Sequence, residues 1–309
     1  MGGAWGEYTR PPMAQPHPFL PDSLAAARWQ RAAPATSPWL HEEVARRMQE
    51  RLQWMRQPPA VWCHWAPVRG GLQAHGLIAQ RYPQADCVVA ETPAHEAQAR
   101  AALDAPWWRK ALRRQAVQFA APADASVQML WANMALHLAP DPQALLQQWQ
   151  RAVAVDGFLM FSCLGPDTVR ELHSLYRELG WPAPAHALSD MHDWGDRLID
   201  AGFAEPVVDM ERITLTFATP ARALQELREL GRNFHPQRFA ALRGRGWRTR
   251  LEQAMAERLS DAQGQIALSF EIIYGHAFKP APRVRLQANT SVALEDMRTM
   301  LRSKSAKAP

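Results

Sequence analysis

Three groups of residues in this sequence have types and spacings suited to chemistry. The first is His64-Trp65-Ala66-Pro67-Val68-Arg69-Gly70-Gly71, which follows the apolar run Ala60 to Cys63. In an open α/β sheet, ligands bind at loops that leave the carboxyl ends of strands, and glycine there allows close backbone approach. The run is not G-x-G-x-x-G. Gly71 and Gly76 have G-x-x-x-x-G spacing, but Leu77 and Ile78 stand where a phosphate loop needs Lys and Ser/Thr, which argues against ATP or GTP hydrolysis. Read as plain structure, the glycine pair marks a turn. The second group is Glu91, an acid closing the apolar run Cys87 to Ala90. A carboxylate at the end of a second strand accepts hydrogen bonds from both hydroxyls of a ribose. The third is Asp190-Met191-His192-Asp193. These are metal-ligand types, yet Asp190 and Asp193 have the spacing of a helix capping box, leaving His192 free for a site or merely exposed. Cys63-His64 reads as core and loop, because no nucleophile signature accompanies it. Eight arginines (Arg222, Arg228, Arg232, Arg238, Arg243, Arg245, Arg248 and Arg250) crowd one later segment. They form either a solvated helical face or a dock for an acidic protein or phosphate-bearing group. Aromatic interleaving is sparse, so nucleic acid is not the expected partner.

These residues need elements to hold them, and the pattern supplies strands and helices in alternation. A helix fits 39–56, with Ser37 as N-cap and Pro38 in its first turn. Strands are expected at Ala60–Cys63, Asp86–Ala90, Gln115–Phe119, Val127–Trp131 and Gly157–Ser162. Helices fit between them at Leu72–Tyr82, 93–103 and from Asp141 to about Val153, with another at Pro166–Leu179. This is the signature of a doubly wound, mainly parallel α/β sheet. The pattern then changes. A helix at Asp190–Ala201 precedes a strand at Pro206–Phe217, helices at Thr219–Gly231 and about 237–260, and a last strand at Ile266–His276. The last two strands add an antiparallel edge, with the intervening helices as a lid. Residues 1–22, rich in proline, read as a disordered tail, 23–280 as the domain with its helical insertion about 219–260, and 281–309 as a basic tail.

Composition narrows the class. The chain has 309 residues, 47% of them hydrophobic and 21% charged, enough for a sizeable core. No apolar run is long enough to span a membrane, and the start lacks a secretory apolar segment. Three scattered cysteines (Cys63, Cys87 and Cys163) make neither a disulfide framework nor a zinc site, so a reducing, cytoplasmic setting is expected. The net charge of +5 is mild.

From Ser162 onward the sequence resembles a known family. Ser162-Cys163-Leu164-Gly165-Pro166-Asp167-Thr168-Val169-Arg170-Glu171-Leu172 is similar to a segment of the malonyl-acyl-carrier-protein O-methyltransferases of biotin synthesis. So are Asp190 to Asp196 with Ala201-Gly202-Phe203, Pro206 to Phe217, Glu271 to Pro280, and Trp131-Ala132-Asn133-Met134-Ala135-Leu136. The resemblance covers about 28–280. It implies a seven-stranded Rossmann-like methyltransferase fold, S-adenosylmethionine as methyl donor, and acyl carrier protein as partner. The implied reaction esterifies the free carboxylate of a malonyl group. It is an in-line displacement that rests on positioning and needs no catalytic acid or base.

The cofactor loop is degenerate. The family's first strand ends in acid-x-G-x-G-x-G, whereas Cys63 or His64 holds the acid position here and Trp65 the first glycine. The implied donor contacts are Trp65, Gly70, Gly71, Glu91 and Asn133. Substrate-side positions are His192, Tyr274 and His276, and the carrier dock is Arg243, Arg245 and Arg248; no metal is implied. Either Gly70 and Gly71 replace the missing loop, or the Trp65 indole fills the donor pocket. The alternative function is a catalytically silent, methyltransferase-like binding or assembly protein, since complex I assembly proteins of this fold carry a similar acidic-histidine string.

Overall fold

The computed structural model describes residues 21–103, 116–239 and 241–282. Most of the proline-rich start, the basic tail and Gln115 lie outside the described residues. Seven strands form one sheet: β1 (Val61–Trp65), β2 (Asp86–Ala90), β3 (Val117–Phe119), β4 (Val127–Ala132), β5 (Val153–Leu164), β6 (Ala204–Phe217) and β7 (Ile266–Phe278). Their order is β3-β2-β1-β4-β5-β7-β6. The first five pair in parallel, with Cys63 opposite Val88 on one side and Leu130 on the other. β7 runs antiparallel between β5 and the edge strand β6. Strand order reverses between β1 and β4, so the crevice above their carboxyl ends is the expected ligand site.

Helices cover both faces, which is why β1, β4 and β5 are apolar at nearly every position. Before β1 come α1 (Ser23–Ala32) and α2 (Trp39–Arg51), followed by a single 3-10 turn at Leu52–Trp54. After β1 come α3 (Pro67–Gly70) and α4 (Leu72–Arg81); α5 (Glu96–Leu103) follows β2, and α6 (Pro142–Ala152) links β4 to β5. Next are α7 (Arg170–Glu178) and α8 (Met191–Asp200), then α9 (Pro220–Leu230) and α10 (Arg245–Arg258) between β6 and β7. One buried cluster joins α2 and α4 to Trp62, Met129, Trp131 and Ile272. The other joins α6 and α8 to Cys63, Leu130, Phe161 and Ile273. Alternate residues of β1 therefore serve opposite layers.

Several local expectations are corrected. Pro38, not Ser37, is the N-cap residue of α2 and brings no side-chain cap, while the Ser37 hydroxyl turns to the Arg69 carbonyl at 3.5 Å. The helix expected over 237–260 forms only from Arg245; the described part of 231–244 is an irregular loop, punctuated by Gly231, Pro236 and Gly244. The turn α3 has no forerunner in the pattern. The Asp190–Asp193 reading stands: Asp190 accepts from the His192 and Asp193 N–H groups at 2.8 Å, in a complete capping box.

Candidate active site

Ala66, Glu91, Asn133 and Gly165 follow the ends of β1, β2, β4 and β5 and so share one end of the sheet. Glu91 is half-buried there. One carboxylate oxygen accepts the Val68 N–H at 3.0 Å and the other the Thr92 N–H at 2.7 Å. Each oxygen keeps a further acceptor site, so the residue fits a ribose diol while bracing the loop after β1.

That loop takes an unusual path. Ala66 lies in the left-handed region at φ 48°, ψ 52°, its N–H held by the Ala90 carbonyl at 2.7 Å. Pro67 then starts α3. An alanine pays for this backbone conformation with about 1 kcal/mol that glycine avoids. Ala66→Gly is therefore expected to stabilise the fold by about 0.5–1 kcal/mol, read as a higher urea midpoint; a lower midpoint would show that the Ala66 methyl packs usefully.

The two glycines are needed for reasons other than a ligand. A Cβ on Gly70 would stand 2.9 Å from the Asn133 carbonyl oxygen. Gly71 sits at φ 117°, and a Cβ there would press on Glu42 and Ala45 of α2. The close backbone approach predicted for a donor is made to the protein's own chain. Glu42 in turn accepts the Leu72 and Gln73 N–H groups, capping α4 in place of a side chain in the turn itself. Asn133 is likewise a tie rather than a wall of an open site. It is 1% exposed; its amide donates to the His41 carbonyl at 2.8 Å and to the Gly70 carbonyl, and its oxygen accepts the Ser162 hydroxyl at 2.7 Å. The Trp65 ring packs edge-on against Trp149 of α6 at 5.8 Å, on the sheet face opposite α4. Among the expected donor contacts, Glu91 is the one whose geometry leaves acceptor capacity for a nucleoside.

The substrate-side expectations scatter. His192 lies on the first turn of α8 with its side chain 81% exposed. Tyr274 is 1% exposed; its hydroxyl donates to Glu211 at 2.5 Å and the Arg51 guanidinium covers its ring at 3.6 Å. Burial and the Glu211 charge push the Tyr274 phenol far above its ordinary range. Its hydroxyl is thus committed to a link between β6, β7 and α2, where Arg47 also reaches Glu211 at 3.2 Å. His276 pairs with Met160, past the middle of β5, and lines a 760 Å³ cavity with Trp54, Val155 and Lys279. That cavity reaches the amino ends of β4 and β5 through Gln128, Val155 and Asp156, so it opens away from the loop that carries Glu91. Arg243 is not a free cation either: its guanidinium stands over Trp247, Phe239, Trp181 and Tyr176 at 4.2–6.0 Å. Arg245 and Arg248 are exposed on α10.

A second cavity opens at the carboxyl end of β5. It measures 280 Å³ and is enclosed by Leu164, α7, the 184–188 loop, α9 and α10. Its polar lining includes His137, His186, Arg228, Arg232 and Arg248, with no Asp or Glu among the described residues. The surroundings suit an apolar group bearing negative charge.

Sequence reasoning missed the histidines beneath this end of the sheet. His41, His137 and His186 are all buried. His41 Nδ1 lies 2.7 Å from the Arg69 carbonyl, and His186 Nε2 lies 3.3 Å from the His137 carbonyl. Burial lowers the His41 pKa to about 3 and that of His137 well below its ordinary value. The signal was weak, since single histidines in unrelated segments carry no spacing. Among the described residues no group of three His, Cys, Asp or Glu is arranged to hold a metal ion. Nor is any described helix long and apolar enough to cross a membrane.

No protein-family model matches the chain. Individual relatives do. A malonyl-[acyl-carrier protein] O-methyltransferase of Laribacter hongkongensis is 35% identical over 272 residues, 84% of this chain and 88% of that protein. The namesake from Gallionella capsiferriformans is 34% identical over 255 residues, covering 79% and 86%. That from Nitrosospira multiformis is 31% identical over 290 residues, covering 87% and 92%. Among solved structures, a candidate methyltransferase from Bacillus halodurans C-125 superposes with a TM-score of 0.50 at 14% identity, over 77% of this chain and all of the other. That likeness concerns the fold, a Rossmann-like methyltransferase sheet with an antiparallel β7. Sheet order and extended sequence relationship agree, and the chain belongs to the malonyl-[acyl-carrier protein] O-methyltransferase family.

Proposed function

We propose that this protein is an S-adenosylmethionine-dependent carboxyl O-methyltransferase that converts the free carboxylate of a malonyl group on acyl carrier protein to its methyl ester, a step of biotin synthesis. The observation that carries this reading is sequence identity of 31–35% to enzymes of that name over most of both chains. The carboxylate-free, arginine-bearing cavity beside β5 supports it. When bound, S-adenosylmethionine supplies an electrophilic methyl group on a cationic sulfur, which leaves as a neutral thioether once a carboxylate oxygen takes the methyl. The malonyl carboxylate is already ionised at neutral pH, so the protein's task is to align it and exclude water. Glu91 fixes the ribose of the donor. The apolar walls of the cavity, including Leu164, Leu172 and Phe270, exclude water from the acyl end. Free, buried Cys63, Cys87 and Cys163 support a reducing compartment, the cytoplasm.

Glu91 gives the reading a direct check. Glu91→Gln keeps an acceptor for one of the two loop N–H groups but removes the charge. It is expected to weaken S-adenosylmethionine binding by roughly 1.5–3 kcal/mol, the scale of a hydrogen bond to a charged group. Calorimetry on the folded variant reads this directly, and unchanged affinity would remove Glu91 from the donor site.

A further inference from the structure

The 280 Å³ chamber is not isolated. A second cavity, 450 Å³, is lined by Thr219, Arg222, Gln225, Arg228 and Arg248, and shares Leu224, Arg228 and Arg248 with the first. The two adjoin: a mainly apolar chamber over the end of β5, here the inner chamber, and a cationic vestibule along α9 that Arg248 of α10 also lines. Their common wall is Leu224, Arg228 and Arg248. Arg222 contacts Glu226 and Arg248 meets Glu252 at 2.7 Å, each one turn along its own helix. Neither glutamate lines the vestibule. Arg228 has no carboxylate within 4 Å among the described residues, so the vestibule keeps an excess of positive charge.

The inner chamber carries a second clue. Trp247 and His186 both line it, and Trp247 Nε1 and His186 Nδ1 are buried without a hydrogen-bond partner among the described residues. Unsatisfied polar groups on an otherwise apolar wall are costly unless a ligand pairs them. A ligand matching both chambers is long and flexible, has polar amide or carbonyl groups along an apolar stem, and ends in a phosphate.

We infer that the α9–α10 cleft is the binding channel for a phosphopantetheine arm, with Arg228 and Arg248 holding its phosphodiester and the inner chamber its thioester end. The inference rests on the carrier-protein reading above and adds the route by which the acyl group reaches the site. It also moves the anion contact from the Arg243–Arg245–Arg248 group to Arg222, Arg228 and Arg248. Arg243 sits in its aromatic nest over Tyr176 and Trp247, the rings that line the chamber. Guanidinium groups suit this task, since their donor fork matches phosphate oxygens.

The test compares binding of free 4′-phosphopantetheine and of pantetheine, which lacks the phosphate, by calorimetry on the full chain. The parent is expected to bind the phosphorylated arm at least about tenfold more tightly, the scale of a charge-assisted hydrogen bond. In Arg228→Gln/Arg248→Gln the preference should fall to near unity. Arg228→Lys/Arg248→Lys, which keeps charge but loses the fork, should retain part of it. Arg56→Gln, at the opposite end of the sheet, should retain it fully. Inorganic phosphate competing equally well with both compounds would mark a nonspecific anion effect and overturn the channel. No preference in the parent, or a preference that survives the double glutamine variant, would overturn it as well. A separate methyl-transfer assay on malonyl-pantetheine and malonyl-phosphopantetheine distinguishes the two readings. Selective arm binding without any methyl transfer would count against the catalytic reading and leave the channel standing.

Discussion

Replacing Asn133 by alanine is expected to destabilise the protein by roughly 3–5 kcal/mol. The side chain is fully buried and makes three hydrogen bonds, to the carbonyls of His41 and Gly70 and to the Ser162 hydroxyl. Alanine leaves all three partners buried and unpaired, and each such group costs about 1–3 kcal/mol, with local relaxation recovering part. The cost falls on the site first. Asn133 joins α2, the α3 turn and β5 at the end of β4, so its loss frees the loop that carries the Glu91-bonded Val68 N–H. Urea unfolding gives the magnitude, and hydrogen exchange at residues 66–71 gives the location. Asn133→Asp retains one acceptor but buries a charge, and should be no better tolerated. A loss below about 1 kcal/mol would mean that the Asn133 bonds are readily replaced by water.

Acid is expected to unfold this protein well above the pH at which its carboxylates titrate. His41, His64, His137 and His186 are all buried, and burial lowers each pKa, that of His41 to about 3 and those of His64 and His137 well below the usual value. His64 also lies 3.3 Å from His75, ring nitrogen to ring nitrogen, so protonating both is further disfavoured. The unfolded chain takes up these protons near pH 6.5, whereas the folded chain does not. Stability is therefore full above that pH and falls as pH drops through the interval down to the folded values. His41, His64 and His137 each contribute a slope approaching about 1.4 kcal/mol per pH unit, so the three together remove about 3–4 kcal/mol between pH 6 and 5, and His186 acts in the same direction. That is a large share of the ~5–15 kcal/mol typical of a domain. Urea midpoints at constant ionic strength measure it, and His41→Gln should flatten the slope by about one proton. Constant stability from pH 7 to 5 would contradict the buried neutral state of these rings.

The sheet was legible because its apolar strands alternate with helices at short intervals, and the placement of Glu91 just after the second strand was legible because the apolar run ends there. The Asp190–Asp193 cap was legible for the same reason: its chemistry is local. What the sequence concealed was long-range. Gly70 needs to be glycine because the carbonyl of Asn133, 63 residues on, lies against it. Tyr274 and His276 look alike as polar residues of one strand, but they are two residues apart on an antiparallel β7. One is sealed against Glu211 and the other lines a cavity with Trp54, Val155 and Lys279. The arginines of 222–250 look equivalent in sequence. Only packing separates Arg243, covered by aromatic rings, from Arg228 and Arg248, which face two cavities.

The central claim is the transfer of a methyl group to a free carboxylate, and mass spectrometry of the intact acyl carrier protein tests it most directly. Incubated with this protein and S-adenosylmethionine, malonyl-acyl carrier protein is expected to gain the mass of one added methyl group in place of a proton. The label should be released by mild base, as from an ester. Acetyl-acyl carrier protein, which offers no free carboxylate, should remain unchanged. A malonyl carrier that stays unmodified at stoichiometric enzyme, or equal labelling of the acetyl form, would contradict the assignment of a carboxyl O-methyltransferase.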